Sequence, residues 1–173
     1  VEDQKLEQIK TDLESSVGQR IDEICNSTLG SDFDQNQCAH YVSHIMGYDF
    51  SQSASCKYLT YADSRDDEVK GATIRVDVIF NRIVSAHRQK LVNNMCYRPG
   101  LVFVTQERNI QTNGDMGSMP AKHIGIMIWP WVYHYSNNQN KVKKEDITSF
   151  INTFTSAYAG NGPVAFYRGE FIA

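Results

Sequence analysis

The segment Gln37-Cys38-Ala39-His40-Tyr41-Val42-Ser43-His44-Ile45-Met46 reads as a helix closed by Gly47, with a cysteine in its first turn. A thiol is a useful nucleophile only as thiolate. The positive end of a helix and a nearby imidazolium both favour that form, and Cys38 has the first by position. The exposed amides of the same turn can donate to the oxyanion formed when an amide carbonyl is attacked. The Cys38 amide is therefore one expected donor, and Gln37, in the loop that leads into the helix, is the candidate for the second.

Such a thiol needs an imidazole as base and later as acid to the leaving amine. His123 opens the apolar run His123-Ile124-Gly125-Ile126-Met127-Ile128, where a strand would hold the ring firmly and Gly125 leaves room beside it. A third polar group usually fixes the direction of such a histidine. His134, on Val132-Tyr133-His134-Tyr135, returns alongside it through a short hairpin, and Asn137 takes the role if the register slips by an odd number of residues. A lone cysteine on a helix is more often a core residue; the two histidine strands favour catalysis here.

The remaining reactive groups carry weaker signals. His40 and His44 share one helix face, but the spacing supplies no third metal ligand, so both are expected to be hydrogen-bonded structural histidines. His87 reads as a solvated helix position. Trp129, Trp131 and Tyr135 could line a substrate groove, or simply pack across strands with Tyr133. None of the four cysteines, at 25, 38, 56 and 96, forms a Cys-x-x-Cys pair. Cys56 with Cys96 is the first disulfide to test, and three reduced thiols besides Cys38 are equally allowed.

The bulk properties narrow the function class. A chain of 173 residues with 41% hydrophobic content can bury one proper core. A formal charge of −3 offers no basic footprint for nucleic acid. The longest apolar stretch, Ile124 to Val132, is interrupted by Pro130 and falls far short of a membrane span. The chain begins at Val1 rather than Met, which is equally consistent with a leader removed by processing and with a start chosen by design; export to the cell envelope or the exterior is the expectation.

Several elements must position these groups. Leu6, Ile9, Leu13, Val17, Ile21 and Ile24 recur at three- and four-residue steps, which predicts an amphipathic helix bent near Gly18 and stopped by Gly30. Residues 48–72 lack periodicity and read as an irregular excursion. Between Ile74 and Val84 strand and helix patterns compete; the helical one is longer and continues toward Leu91. Strands are expected from Leu101, over His123–Ile128 and Trp131–Tyr135, and over Val164–Tyr167, with a helix from Lys144 to Tyr158. Helices first, then a short antiparallel sheet with one more helix, is an α+β order. The predicted organisation is an N-terminal helix over residues 1–30 packed on a single domain of residues 31–173.

Four segments, in order, resemble the papain-like cysteine peptidases and amidases of the NlpC type, which cleave peptide bonds in bacterial cell walls. These are Asn36-Gln37-Cys38-Ala39-His40-Tyr41-Val42, Pro99-Gly100-Leu101-Val102-Phe103, the His123 strand, and Val132-Tyr133-His134-Tyr135-Ser136. The chain departs from that pattern at Gln37, Ala39-His40 and Leu101. Segment 36–42 also resembles the cysteine motif of lecithin:retinol acyltransferase relatives. In those the histidine strand precedes the cysteine, whereas here it follows.

The resemblance implies a papain-like fold and amide hydrolysis, most directly in peptidoglycan stem or cross-link peptides. Cys38 would be the nucleophile, His123 the acid and base, and His134 the orienting group, with no cofactor required. An envelope-targeted toxin with an immunity or inhibitor protein as partner would be one use of that activity. A lipid acyltransferase or thioesterase, and a non-catalytic binding module, are the alternatives.

Overall fold

A computed structural model of the chain describes residues 3–25, 36–48, 50, 58–59, 72–92 and 98–172. The expected stop at Gly30, most of the excursion at 48–72, and the Cys56–Cys96 pair lie outside the described residues. The chain forms two compact units, Val1–Arg75 with His134–Lys143, and Val76–Tyr133 with Lys144–Ala173.

In the first unit the N-terminal stripe forms α1 (Asp3–Ser16) and α2 (Ile21–Ile24), separated where Gly18 adopts a φ of +85°. That left-handed conformation suits glycine and ends α1 where the sequence predicts a bend. Ile9, Leu13 and Ile21 are buried as their spacing demands, but Val17 is exposed and Ser16 takes the inner place. The reason is a hydrogen bond. The Ser16 hydroxyl donates to the Leu13 carbonyl at 2.7 Å and meets the Tyr41 hydroxyl at 2.8 Å, so its burial leaves it satisfied.

Tyr41 belongs to α3 (Cys38–Met46), which ends at Gly47 with φ +67°. Every residue from Cys38 to Ser43 is buried, so the start of α3 is an internal helix with no solvent face. Two short strands, β1 (Tyr58–Leu59) and β2 (Ala72–Thr73), pair in parallel, and the Thr73 amide donates to the Ser43 hydroxyl at 3.4 Å.

The elements that follow are α4 (Val76–Arg82), β3 (Arg88–Lys90), β4 (Gly100–Gln106), β5 (Lys122–Ile128), β6 (Trp131–Ser136), β7 (Lys141–Asp146), α5 (Ile147–Tyr158) and β8 (Val164–Gly169); β6 and β7 are each divided between the units and the others belong to the second. The six-stranded sheet has the order β3-β8-β4-β5-β6-β7, with antiparallel pairing of β3 with β8, β8 with β4, β4 with β5, and β5 with β6. Strand β4 is buried along its whole length, as the middle of a covered sheet requires. On one face Val102, Val104 and Phe166 pack with Ile147 and Phe150 of α5. On the other, Phe103 and Tyr167 meet Phe80 of α4 edge-on, at ring separations of 5.0 and 5.5 Å. Alternation along β4 thus assigns each helix to its own face. The chain is α+β, as expected.

Three local expectations need correction. The helical pattern from Ile74 does not run on to Leu91: α4 stops at Arg82, a tight turn covers Ser85–His87, and β3 follows. His87 is solvated, in a single 3-10 turn and not in a continuing α-helix. The late helix begins at Ile147 and not Lys144, because Lys141–Asp146 is edge strand β7. A strand reading Lys-Val-Lys-Lys-Glu-Asp has little apolar alternation to betray it, as charge-protected edges often do. Strand β8, expected over Val164–Tyr167, lies between β3 and β4.

Candidate functional site

Residues about the start of α3 hold its first amides. The Cys38 amide donates to Asn36 Oδ1 at 3.2 Å, and the Gln37 amide to Asn137 Oδ1 at 2.9 Å. Asn137 also donates through Nδ2 to Asn36 Oδ1 at 2.9 Å, so the two asparagines form one cap. The Cys38 amide, expected as an oxyanion donor, therefore faces a side-chain carbonyl, which a substrate oxygen would have to replace. Cys38 itself is a fully buried thiol. Asn137, the sequence's stand-in for His134, serves here as half of the cap.

His134 lies on β6 in the same unit as Cys38 and is buried. His123 is the second residue of β5 and belongs to the other unit. There its ring stacks on Phe154 at 4.4 Å, with Phe150 at 6.0 Å. The aromatic residues at the hairpin divide. Trp129 and Trp131 are exposed, and the Lys144 ammonium lies 4.8 Å from the Trp131 ring centre. Tyr135 is fully buried, and its hydroxyl accepts from the Ile21 amide at 3.1 Å. That bond commits Tyr135 to the start of α2 and not to a groove wall. Burial raises its pKa, against the lowering effect of the bond from Ile21.

Among the described residues, three reactive side chains meet in a group that sequence spacing did not assemble. His40 and His44 point their Nε2 atoms at each other, 3.1 Å apart, and the Cys25 thiol joins them with all three donor atoms within 4.8 Å of one another. Gln37 Oε1 faces His40 Nδ1 at 2.7 Å. An amide oxygen can only accept, so His40 carries its proton on Nδ1 and presents a lone pair at Nε2; His44 then donates from Nε2. Burial, followed by repulsion from His44, pushes the His40 pKa down to about 3, and burial lowers that of His44. Both rings are neutral at pH 7.

Cys25 caps the C-terminus of α2, its amide donating to the Ile21 carbonyl at 2.8 Å. Its place one helical turn past Ile21 marks it in the sequence as inward-facing. Nothing in the spacing says what it meets there.

No protein-family model matches the chain, and no curated protein or solved structure is significantly similar to it.

Proposed function

We propose that this protein is a cysteine hydrolase that cleaves an amide bond, with Cys38 as the nucleophile of a papain-like arrangement. The observation that carries the reading is the position of Cys38 as the first residue of a nine-residue helix. Its amide and the one before it are already engaged with oxygen acceptors. An amide oxygen arriving in place of the asparagine carbonyls would meet the same donors and the same helix end as negative charge develops on it.

In the proposed reaction the Cys38 sulfur bonds to the substrate carbonyl carbon and the C–N bond breaks. The nitrogen leaves as an amine with a proton from His123. Water then attacks the thioester, losing its proton to His123, and the acid is released with the thiol restored. Chain order assigns proton transfer to His123 and the orienting role to His134. Peptidoglycan stem or cross-link peptides are the proposed substrates.

Mass spectrometry of muropeptides, and separately of a peptide library, after incubation with wild type and Cys38→Ala tests both bond and substrate. The expected result is new amine and carboxyl termini with wild type only. An acyl-enzyme formed from a phospholipid or thioester would favour the acyltransferase alternative instead, and full cleavage by Cys38→Ala would end the hypothesis.

A further inference from the structure

We propose that Cys25, His40 and His44 form a zinc site that fastens the end of α2 to α3. The inference does not depend on Cys38 being catalytic, because it uses a different thiol and different imidazoles. Zinc takes thiolate sulfur at about 2.3 Å and imidazole nitrogen at about 2.0–2.1 Å in a tetrahedron, which puts donor atoms about 3.3–3.7 Å apart. The two Nε2 atoms are 3.1 Å apart and the whole set lies within 4.8 Å, so an adjustment of about 1 Å at the thiol completes the geometry.

The chemistry of the donors agrees with the spacing. Imidazoles four residues apart on one helix are a known way to present two nitrogens to zinc, and a thiolate adds the soft charged ligand that zinc favours. The His40 ring is already oriented for it, since the bond from Nδ1 to Gln37 Oε1 leaves Nε2 unprotonated and aimed at the cluster. Such a partner behind a metal-binding histidine fixes both tautomer and ring direction. On binding, His44 shifts its proton to Nδ1 and the Cys25 thiol releases its proton to solvent, so the two imidazoles and the thiolate all face the ion.

Among the described residues the cluster contains no carboxylate, and Tyr41 occupies the position where helical zinc peptidases carry their glutamate. The role is therefore structural. The three donors found among the described residues leave one tetrahedral position for a further ligand. What the ion would hold is α3 itself, through His40 and through Gln37, the residue next to Cys38.

A purified full-length chain, stripped with chelator and titrated with Zn²⁺ against a chromogenic competitor, tests the site. One zinc per chain is expected, with Co²⁺ giving the ligand-field bands of a tetrahedral centre and a thiolate charge-transfer band. Cys25→Ser and His44→Gln should each weaken binding by more than about a hundred-fold, and Gln37→Ala by about ten- to a hundred-fold as an outer-shell loss. Cys38→Ala should bind normally. Should Cys25→Ser fail to fold, His44→Gln, at a half-buried position, gives the same readout. No stoichiometric uptake, uptake untouched by the Cys25 and His44 changes, or a site lost in Cys38→Ala would each overturn the proposal.

Discussion

The Nε2 atoms of His40 and His44 lie 3.1 Å apart although the rings sit on successive turns of one helix, tilted at 58° with their centres 4.8 Å apart. Ordinary packing of two surface histidines at this spacing leaves both rings free to reach water. Here burial and the Gln37 carbonyl turn one ring inward, and the second follows it. A ligand that binds this folded arrangement alone must stabilise it in proportion to its concentration.

Zinc at about a hundred times its dissociation constant should accordingly add about 2.7 kcal/mol. For a chain of this size that is an increase in Tm of about 5–10 °C. Differential scanning calorimetry with and without chelator measures it, and the increment should vanish in Cys25→Ser.

Activity, once the substrate is in hand, should separate the roles of three residues. Cys38→Ala should abolish turnover. His123→Ala should lower kcat by about 10²–10⁴-fold, the usual worth of a positioned acid or base. His134→Ala should cost less than His123→Ala, because it removes an orienting group only. Steady-state kinetics of the three variants decides the assignment, and equal losses at His123 and His134 would contradict it.

Tyr135→Phe should destabilise the first unit by about 1–3 kcal/mol, since the buried Ile21 amide loses its acceptor while the ring volume is kept. Hydrogen exchange provides the local reading. The Ile21 amide should exchange faster in the variant, and unchanged protection there would show that the hydroxyl carries no such load.

Lys122 and Asp77 form an ion pair at 3.2 Å with side-chain exposures of 2% and 10%. Asp77→Asn leaves a buried ammonium uncompensated and should cost about 3–5 kcal/mol. The double change Asp77→Leu with Lys122→Met removes both charges and should recover most of that loss. Urea denaturation of the three proteins checks the order.

Asp146 caps α5, accepting from the Ser149 amide at 2.9 Å. That bond, first among several causes, holds its carboxyl below the ordinary 3.8. The depressed value means that the cap stabilises the folded chain above the unfolded pKa, and that this contribution fades as pH falls through the lower folded value. Asp146→Asn should keep a cap but lose that part of the acid dependence, while Asp146→Ala should speed exchange of the Ser149 amide at neutral pH. Thermal melts between pH 2 and about pH 6 follow the first effect, in the window below and above the carboxylate range.

Much of the fold was legible because periodicity records which face of an element is buried. The stripe of α1, the stop of α3 at Gly47, the hairpin of β5 and β6, and the helical preference over Ile74–Val84 all follow from it. Strands β3 and β7 were missed for the same reason. They read Arg-Gln-Lys and Lys-Val-Lys-Lys-Glu-Asp, and as edge strands they bury too little to leave a two-residue pattern.

From the sequence alone came the element types, the cysteine at the head of a helix, and the two histidine strands. Only the tertiary structure decided what each buried side chain faces. Cys25 meets His40 and His44 because α2 delivers its C-terminus to α3, and Tyr135 meets Ile21 because β6 returns to the start of α2. Spacing along a chain specifies direction within one element. The partner across the gap is set by how separate elements pack, and no local pattern carries that information.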